Sequence, residues 1–160
     1  MIAVEINDRD ARATAVAERI DRAVTMVFRE ADVQSANVSV AIVDDPTIWR
    51  LNREYLEHDY PTDVLSFVLS QDDQRLEGEI IVSADTAERE AVEHGWSSES
   101  ELLLYVVHGA LHLVGYDDDS DENRQRMRER EQEILSRLSD SQFSGDTSNA
   151  RLLAKGGSQS

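Results

Sequence analysis

The order in which the hydrophobic period switches between two and about 3.6 restricts the fold of this chain more than any other feature. Ile2, Val4 and Ile6 alternate with Ala3, Glu5 and Asn7, the pattern of a half-buried strand. Across residues 12–30, Val16, Ile20, Ala23, Val24 and Val27 recur at steps of three and four, which predicts a helix with one apolar stripe to lay on a sheet. Val38–Val43 is the next strand, ended by Asp44-Asp45-Pro46. There Asp45 can cap the free helical N–H groups, with Pro46 at the first helical position. Ile48, Leu51 and Tyr55 then form an inward face. Tyr60-Pro61-Thr62-Asp63 breaks that helix, and two β-favouring runs, Val64–Leu69 and Glu79–Ser83, are close enough to pair as a hairpin. A helix over about 85–94 ends at Gly95. Ser98 with Glu101 three residues later reads as a capping box, opening a strongly apolar helix that runs to about Gly115. The last helix, roughly 121–138, turns Met127, Ile134, Leu135 and Leu138 inward.

The resulting order, βαβαββααα, predicts an α+β fold: a small mixed sheet of about four strands packed against about five helices. Residues 1–139 are expected to form one domain. The polar, aperiodic stretch 140–160 reads as a disordered tail. A chain of 160 residues that is 40% hydrophobic supports one core and not two. With no Cys, disulfides, thiolate chemistry and cysteine-based zinc knuckles are excluded, so any metal must rest on His, Asp or Glu. No run approaches the ~20 apolar residues of a membrane span, and the first residues meet charge at once, which predicts a cytoplasmic protein without a membrane partner. The formal charge of −17 is uneven: residues 31–123 carry twenty-two acids against four Arg, while 124–160 carry five acids against seven bases. The middle of the chain should therefore repel nucleic acid at long range unless metal ions or a local basic patch intervene.

The chemistry is concentrated in His108-Gly109-Ala110-Leu111-His112-Leu113-Val114-Gly115-Tyr116-Asp117-Asp118. Two His four residues apart lie on one helical face and can converge on one ion, and Gly115 can end the helix and turn the chain back. Asp118 then stands six residues after His112, and two imidazoles with a carboxylate suit zinc with a fourth position left for water. On spacing alone, Asp117 or Asp119 can reach inward instead, and paired His on an apolar helix can also be no more than hydrogen-bonded core residues.

Further blocks stand in a fixed order: Leu51-Asn52, then Pro61-Thr62-Asp63-Val64-Leu65-Ser66-Phe67, then Gly78-Glu79-Ile80, then His108 through Asp118, and finally Met127 with Glu131. Over roughly residues 51–131 this set resembles the YbeY family of bacterial rRNA-maturation endoribonucleases. The resemblance implies an α+β metalloprotein fold and one zinc ion on His108, His112 and Asp118. It further implies cleavage of single-stranded rRNA or pre-rRNA in maturation and ribosome quality control, with ribosomal proteins or a ribosome-associated GTPase as partners. Two positions depart from the family pattern. The third ligand is normally His where Asp118 stands, and an Arg is normal where Leu56 follows Tyr55. Arg53, one helical turn earlier, is the candidate RNA-binding cation in its place.

In such a site the ligating His cannot also serve as general base, so Asp63, Asp117 and Glu131 are the candidate catalytic groups. Ser66 and Gly115 have supporting or structural roles. Replacing a neutral imidazole by Asp118 lowers the net charge of a zinc site from about +2 to about +1, which makes it less electrophilic. Loss of the phosphate-facing Arg acts in the same direction. Two other readings follow: a metal-stabilised, ribosome-associated binding protein with weak or no catalysis, and a metallopeptidase, against which Gly109 stands where such enzymes carry a Glu.

Overall fold

The computed structural model describes residues 1–56 and 62–142, with side chains from 55 and from 139 outward not described. The elements are β1 (Ile2–Asn7), α1 (Ala17–Glu30, entered through a short 3-10 turn), β2 (Ala36–Val43), α2 (Asp45–Leu56), β3 (Val64–Gln71), β4 (Leu76–Ser83), α3 (Ala84–His94), α4 (Ser98–Leu113) and α5 (Asp121–Gln142). One four-stranded mixed sheet has the order β1-β2-β4-β3. β1 and β4 flank β2 in parallel, and β3 closes back on β4 as an antiparallel hairpin. The architecture is the α+β arrangement expected from the alternating periods.

Alternation along β2 and β4 sends side chains to two cores. Val38, Val40, Ile80 and Val82 face the larger one, built with α1, α4 and α5, whereas Ile81 and Leu65 face Ile48 of α2 on the opposite side of the sheet. Helix α4 runs through the larger core, with Leu104, Val107 and Leu111 buried. An added Cβ at Gly109 would stand 2.7 Å from Ile80 Cγ2, so this glycine is what lets α4 lie close on β4. α5 crosses α1 and α4 and is tied to α1 by Arg130 and Arg137, which share Glu30.

Three local expectations shift. The cap of α2 is Asp44, whose Oδ1 accepts from the Thr47 N–H at 2.9 Å, because Asp45 is turned away to accept from Ser83 Oγ and Thr86 Oγ1. The cap of α4 is Ser97, whose Oγ accepts from the Ser100 N–H at 3.1 Å. Glu101 does not close a capping box, because Trp96 Nε1 and His94 Nδ1 hold its carboxylate inside the protein. α5 is capped by Ser120. It also continues to Gln142, past the expected end near 138, while residues 143–160 of the expected tail lie outside the described residues. No helix among the described residues is long and apolar enough to cross a membrane.

Candidate metal centre

His108 and His112 lie on the side of α4 that faces the start of β3, with Glu131 of α5 behind His108. Their side chains are 26% and 28% exposed and open onto a cleft of about 640 Å³ between α4 and the start of β3. The helix ends in a two-bond cap: the Tyr116 N–H donates to Leu111 O and the Gly115 N–H to His112 O, with Gly115 at φ +107°. That left-handed residue reverses the chain and returns Asp118 to the open side of the two rings.

The donor atoms converge. His108 Nε2 and His112 Nε2 are 3.2 Å apart, His112 Nε2 and Asp118 Oδ2 are 3.8 Å apart, and one donor atom from each of the three residues lies within 4.8 Å of the others. Ligands about 2.0–2.1 Å from a tetrahedral zinc stand roughly 3.3 Å from one another, so the two His nitrogens are already at that spacing and the Asp118 carboxylate would have to swing inward to complete the set. Two nitrogens and one carboxylate also suit the chemistry of zinc-type metals.

Behind the rings, His108 Nδ1 donates to Oε2 of Glu131 on α5 at 2.6 Å. Burial opposes a charge on His108, but Glu131, with Asp63 and Asp118 adding to it, holds the pKa above the usual His value. His112 moves the other way, pushed down by burial and by the neighbouring His108, with Asp118 and the Tyr116 backbone only partly offsetting this. The two ring Nε2 atoms face each other across 3.2 Å on the open side of the helix. An ion bound between them requires both of these nitrogens unprotonated.

The remaining candidates separate by position. Asp63 is exposed at the entrance to β3 and lines the cleft, as does half-buried Ser66. Asp117 does not line it: its Oδ1 accepts from Asn123 Nδ2 at 2.8 Å and it faces a different hollow beside Gly115 and Arg126. Asp119 is held by the same Asn123 amide at 2.8 Å. Glu131 sits behind His108, against the Nδ1 side of that ring, and does not line the open cleft. Arg53 is exposed on α2 and is not among the cleft residues, and the Leu56 side chain and His58 lie outside the described residues. Among the described residues that line the cleft there is no Lys or Arg. Asn52 lines it, 1% exposed, although the sequence offered Asn52 only as part of a motif.

A family model described as endoribonuclease YbeY matches residues 1–139. An endoribonuclease YbeY of Syntrophotalea carbinolica is 35% identical over 142 residues, covering 84% of this chain and 95% of its own length. One from Rhodopirellula baltica is 52% identical over 97 residues, covering 59% of this chain and 50% of its own. The solution structure of a Thermotoga maritima protein superposes with a TM-score of 0.65 at 29% identity, covering 92% of this chain and 95% of that one. The matched residues take in the whole sheet, the His108–His112 helix, the Gly115 return and the Glu131 support, and the chain belongs to the YbeY family of endoribonucleases.

Proposed function

We propose that this chain holds one zinc ion on His108, His112 and Asp118 and acts on single-stranded RNA in ribosomal RNA maturation, as a slow endoribonuclease in which binding outweighs turnover. The observation that carries the proposal is the convergence of two imidazoles and a carboxylate, within 4.8 Å, on an open cleft of about 640 Å³. An ion held there supplies Lewis acidity to a phosphoryl oxygen and to water. The protein's own part is to fix the donors through Glu131 and Gly115, and to present Asp63 at the mouth of the cleft as a proton acceptor. Asn52 and Ser66 offer neutral polar contacts to a sugar-phosphate chain.

Slow turnover follows from charge. Asp118 reduces the positive character of the centre, and the described cleft lining supplies no cation to a phosphoryl group gathering negative charge. The same two observations favour a second reading, a metal-stabilised ribosome-associated protein that binds RNA without cutting it. A peptidase is disfavoured because position 109, where the general base would stand, is packed against Ile80.

The deciding experiment follows end-labelled single-stranded RNA with zinc-loaded protein, His112→Ala and Asp118→His. Slow metal-dependent cleavage that is lost in His112→Ala and faster in Asp118→His is expected. RNA binding with no cleavage in wild type or Asp118→His selects the second reading, and neither binding nor cleavage rejects both.

A further inference from the structure

We propose that the free edge of β3 is a strand-addition surface, which takes an extended segment of a partner protein, apolar in its middle and carrying Lys or Arg at its ends, as a further strand of the sheet. β3 ends the sheet order, and among the described residues no strand pairs with its outer side. The Ser83 N–H donates to Asp63 O at 3.0 Å, which fixes the phase of the β3–β4 ladder. In that phase Leu65 and Phe67, opposite Ile81 and Glu79, turn their backbone groups to β4, so Val64, Ser66 and Val68 turn theirs outward. Successive outward residues stand about 6.8 Å apart, and each offers an N–H and a C=O, the pattern that another extended backbone complements.

The side chains leave this edge open to pairing. At the opposite edge of the sheet, β1 carries exposed Glu5 and Asn7. Val64–Gln71 has no charge and no Pro, and Val68 and Leu69 are 47% and 64% exposed. An apolar edge without such guards is a template for another strand. The register shift between Val68 and Ser70 bounds the regular part of the surface to Val64–Val68.

Charge selects the partner. From residue 54 to residue 74 the chain carries six acids and no Lys or Arg, with Asp63 at the entrance to β3 and Asp72 and Asp73 in the turn that follows it. Arg75, the next base, is paired with Glu77 at 3.6 Å. Acids at both ends of an uncharged strand attract a segment with basic ends. They oppose a second copy of this chain, which has the same acidic flanks and a formal charge of −17. A phosphate backbone matches the outward N–H groups but not the carbonyls between them. Val64, Ser66 and Val68 also line the cleft of the metal centre, so the added strand borders the approach to His108 and His112. The inference does not depend on RNA cleavage.

The test uses the full zinc-loaded chain and a fluorescent peptide of alternating Val and Thr with Arg at both ends. Saturable binding is expected. Amide hydrogen exchange should slow at Ser66 and Val68, whose N–H groups face outward, and change little at Leu65 and Phe67, which already pair with β4. Ending the peptide in Glu, or methylating its backbone nitrogens, should weaken binding by about tenfold or more. Val68→Pro removes one outward N–H at a position where an edge strand tolerates the ring, and should weaken binding by about threefold or more with zinc uptake and circular dichroism unchanged. No saturable binding of the Arg-ended peptide overturns the proposal. Equal binding of the methylated peptide shows charge attraction without strand addition and overturns it too, whether or not Val68→Pro folds. Slowed exchange at Ser66 and Val68 with single-stranded RNA but not with the peptide assigns the edge to RNA, and a dimer of the free protein with both amides already protected assigns it to a second copy; either result overturns the proposal.

Discussion

His108 Nδ1 and Glu131 Oε2 meet at 2.6 Å across a sequence separation of twenty-three residues, with the carboxylate 1% exposed. This contact commits Nδ1 as a donor and leaves Nε2 facing the cleft, which selects the tautomer a metal ligand requires. It also anchors α5 to α4 at the centre, so the helix that closes the core orients the ligand.

Glu131→Gln keeps an oxygen that can accept from Nδ1 but removes the charge that makes the imidazole a better donor. Zinc affinity, measured by competition with a chromophoric chelator, should fall by about 10–100-fold while the fold persists. Unchanged affinity would show that packing alone orients His108.

The opposed shifts of His108 and His112 set a pH dependence. Because the His108 pKa is raised above its ordinary value of 6.5, its ion pair with Glu131 stabilises the metal-free fold fully below that value. The contribution is lost as pH rises through the raised pKa. Metal-free wild type should accordingly lose its advantage in Tm over Glu131→Gln as the solution is made alkaline. On the acid side of the same pKa, zinc uptake should release about one more proton than on the alkaline side, read by calorimetry in buffers of different ionisation enthalpy.

Much of this fold was legible because each element carries its own period. The β3–β4 hairpin and the imidazole-bearing face of α4 follow from local spacing. The insertion of β4 between β2 and β3 does not, since pairing partners far apart in sequence leave no mark on a single period. At the site, the step from His112 through Gly115 to Asp118 was readable, and so was Glu131 as a candidate. The division of labour was not. Whether Asp117 or Asp118 faces the rings turns on Asn123, which captures Asp117 and Asp119, and Glu131 became a support for His108 only once α5 was packed. The α4 cap moved from Ser98 to Ser97 for a similar reason, because Glu101 is drawn inward by Trp96 and His94.

Gly109 offers a test of how α4 is seated. Alanine is the better helix former by about 0.5–1 kcal/mol, but its Cβ would meet the Ile80 methyl at 2.7 Å and Val64 at 3.3 Å in a region with no slack. Overpacking of this kind costs about 1–3 kcal/mol, so Gly109→Ala should be net destabilising in chemical denaturation. The double variant Gly109→Ala with Ile80→Ala should be less damaged than the sum of the single changes. Additive losses would place the strain somewhere other than the α4–β4 contact.

Asp118 carries the strongest expectation: Asp118→His should retain zinc, and Asp118→Ala should lose more than the ~10–100-fold in affinity that removal of an outer partner costs. Its Oδ2 is already 3.8 Å from His112 Nε2, at the end of a chain reversal fixed by Gly115, and either a carboxylate or an imidazole can donate to zinc at about 2.0–2.2 Å. The neighbouring acids cannot readily take its place, because Asn123 Nδ2 holds both Asp117 and Asp119 at 2.8 Å. Titrating metal-free wild type, Asp118→His and Asp118→Ala with zinc at one pH above the His108 transition, with circular dichroism recorded in parallel, separates loss of a ligand from loss of fold. If the alanine variant binds zinc as tightly as wild type, Asp118 is not a ligand, and water or a residue outside the described set completes the coordination of the two His. If the His variant instead binds zinc and cleaves RNA faster than wild type, the carboxylate is both a ligand and the cause of the slow turnover.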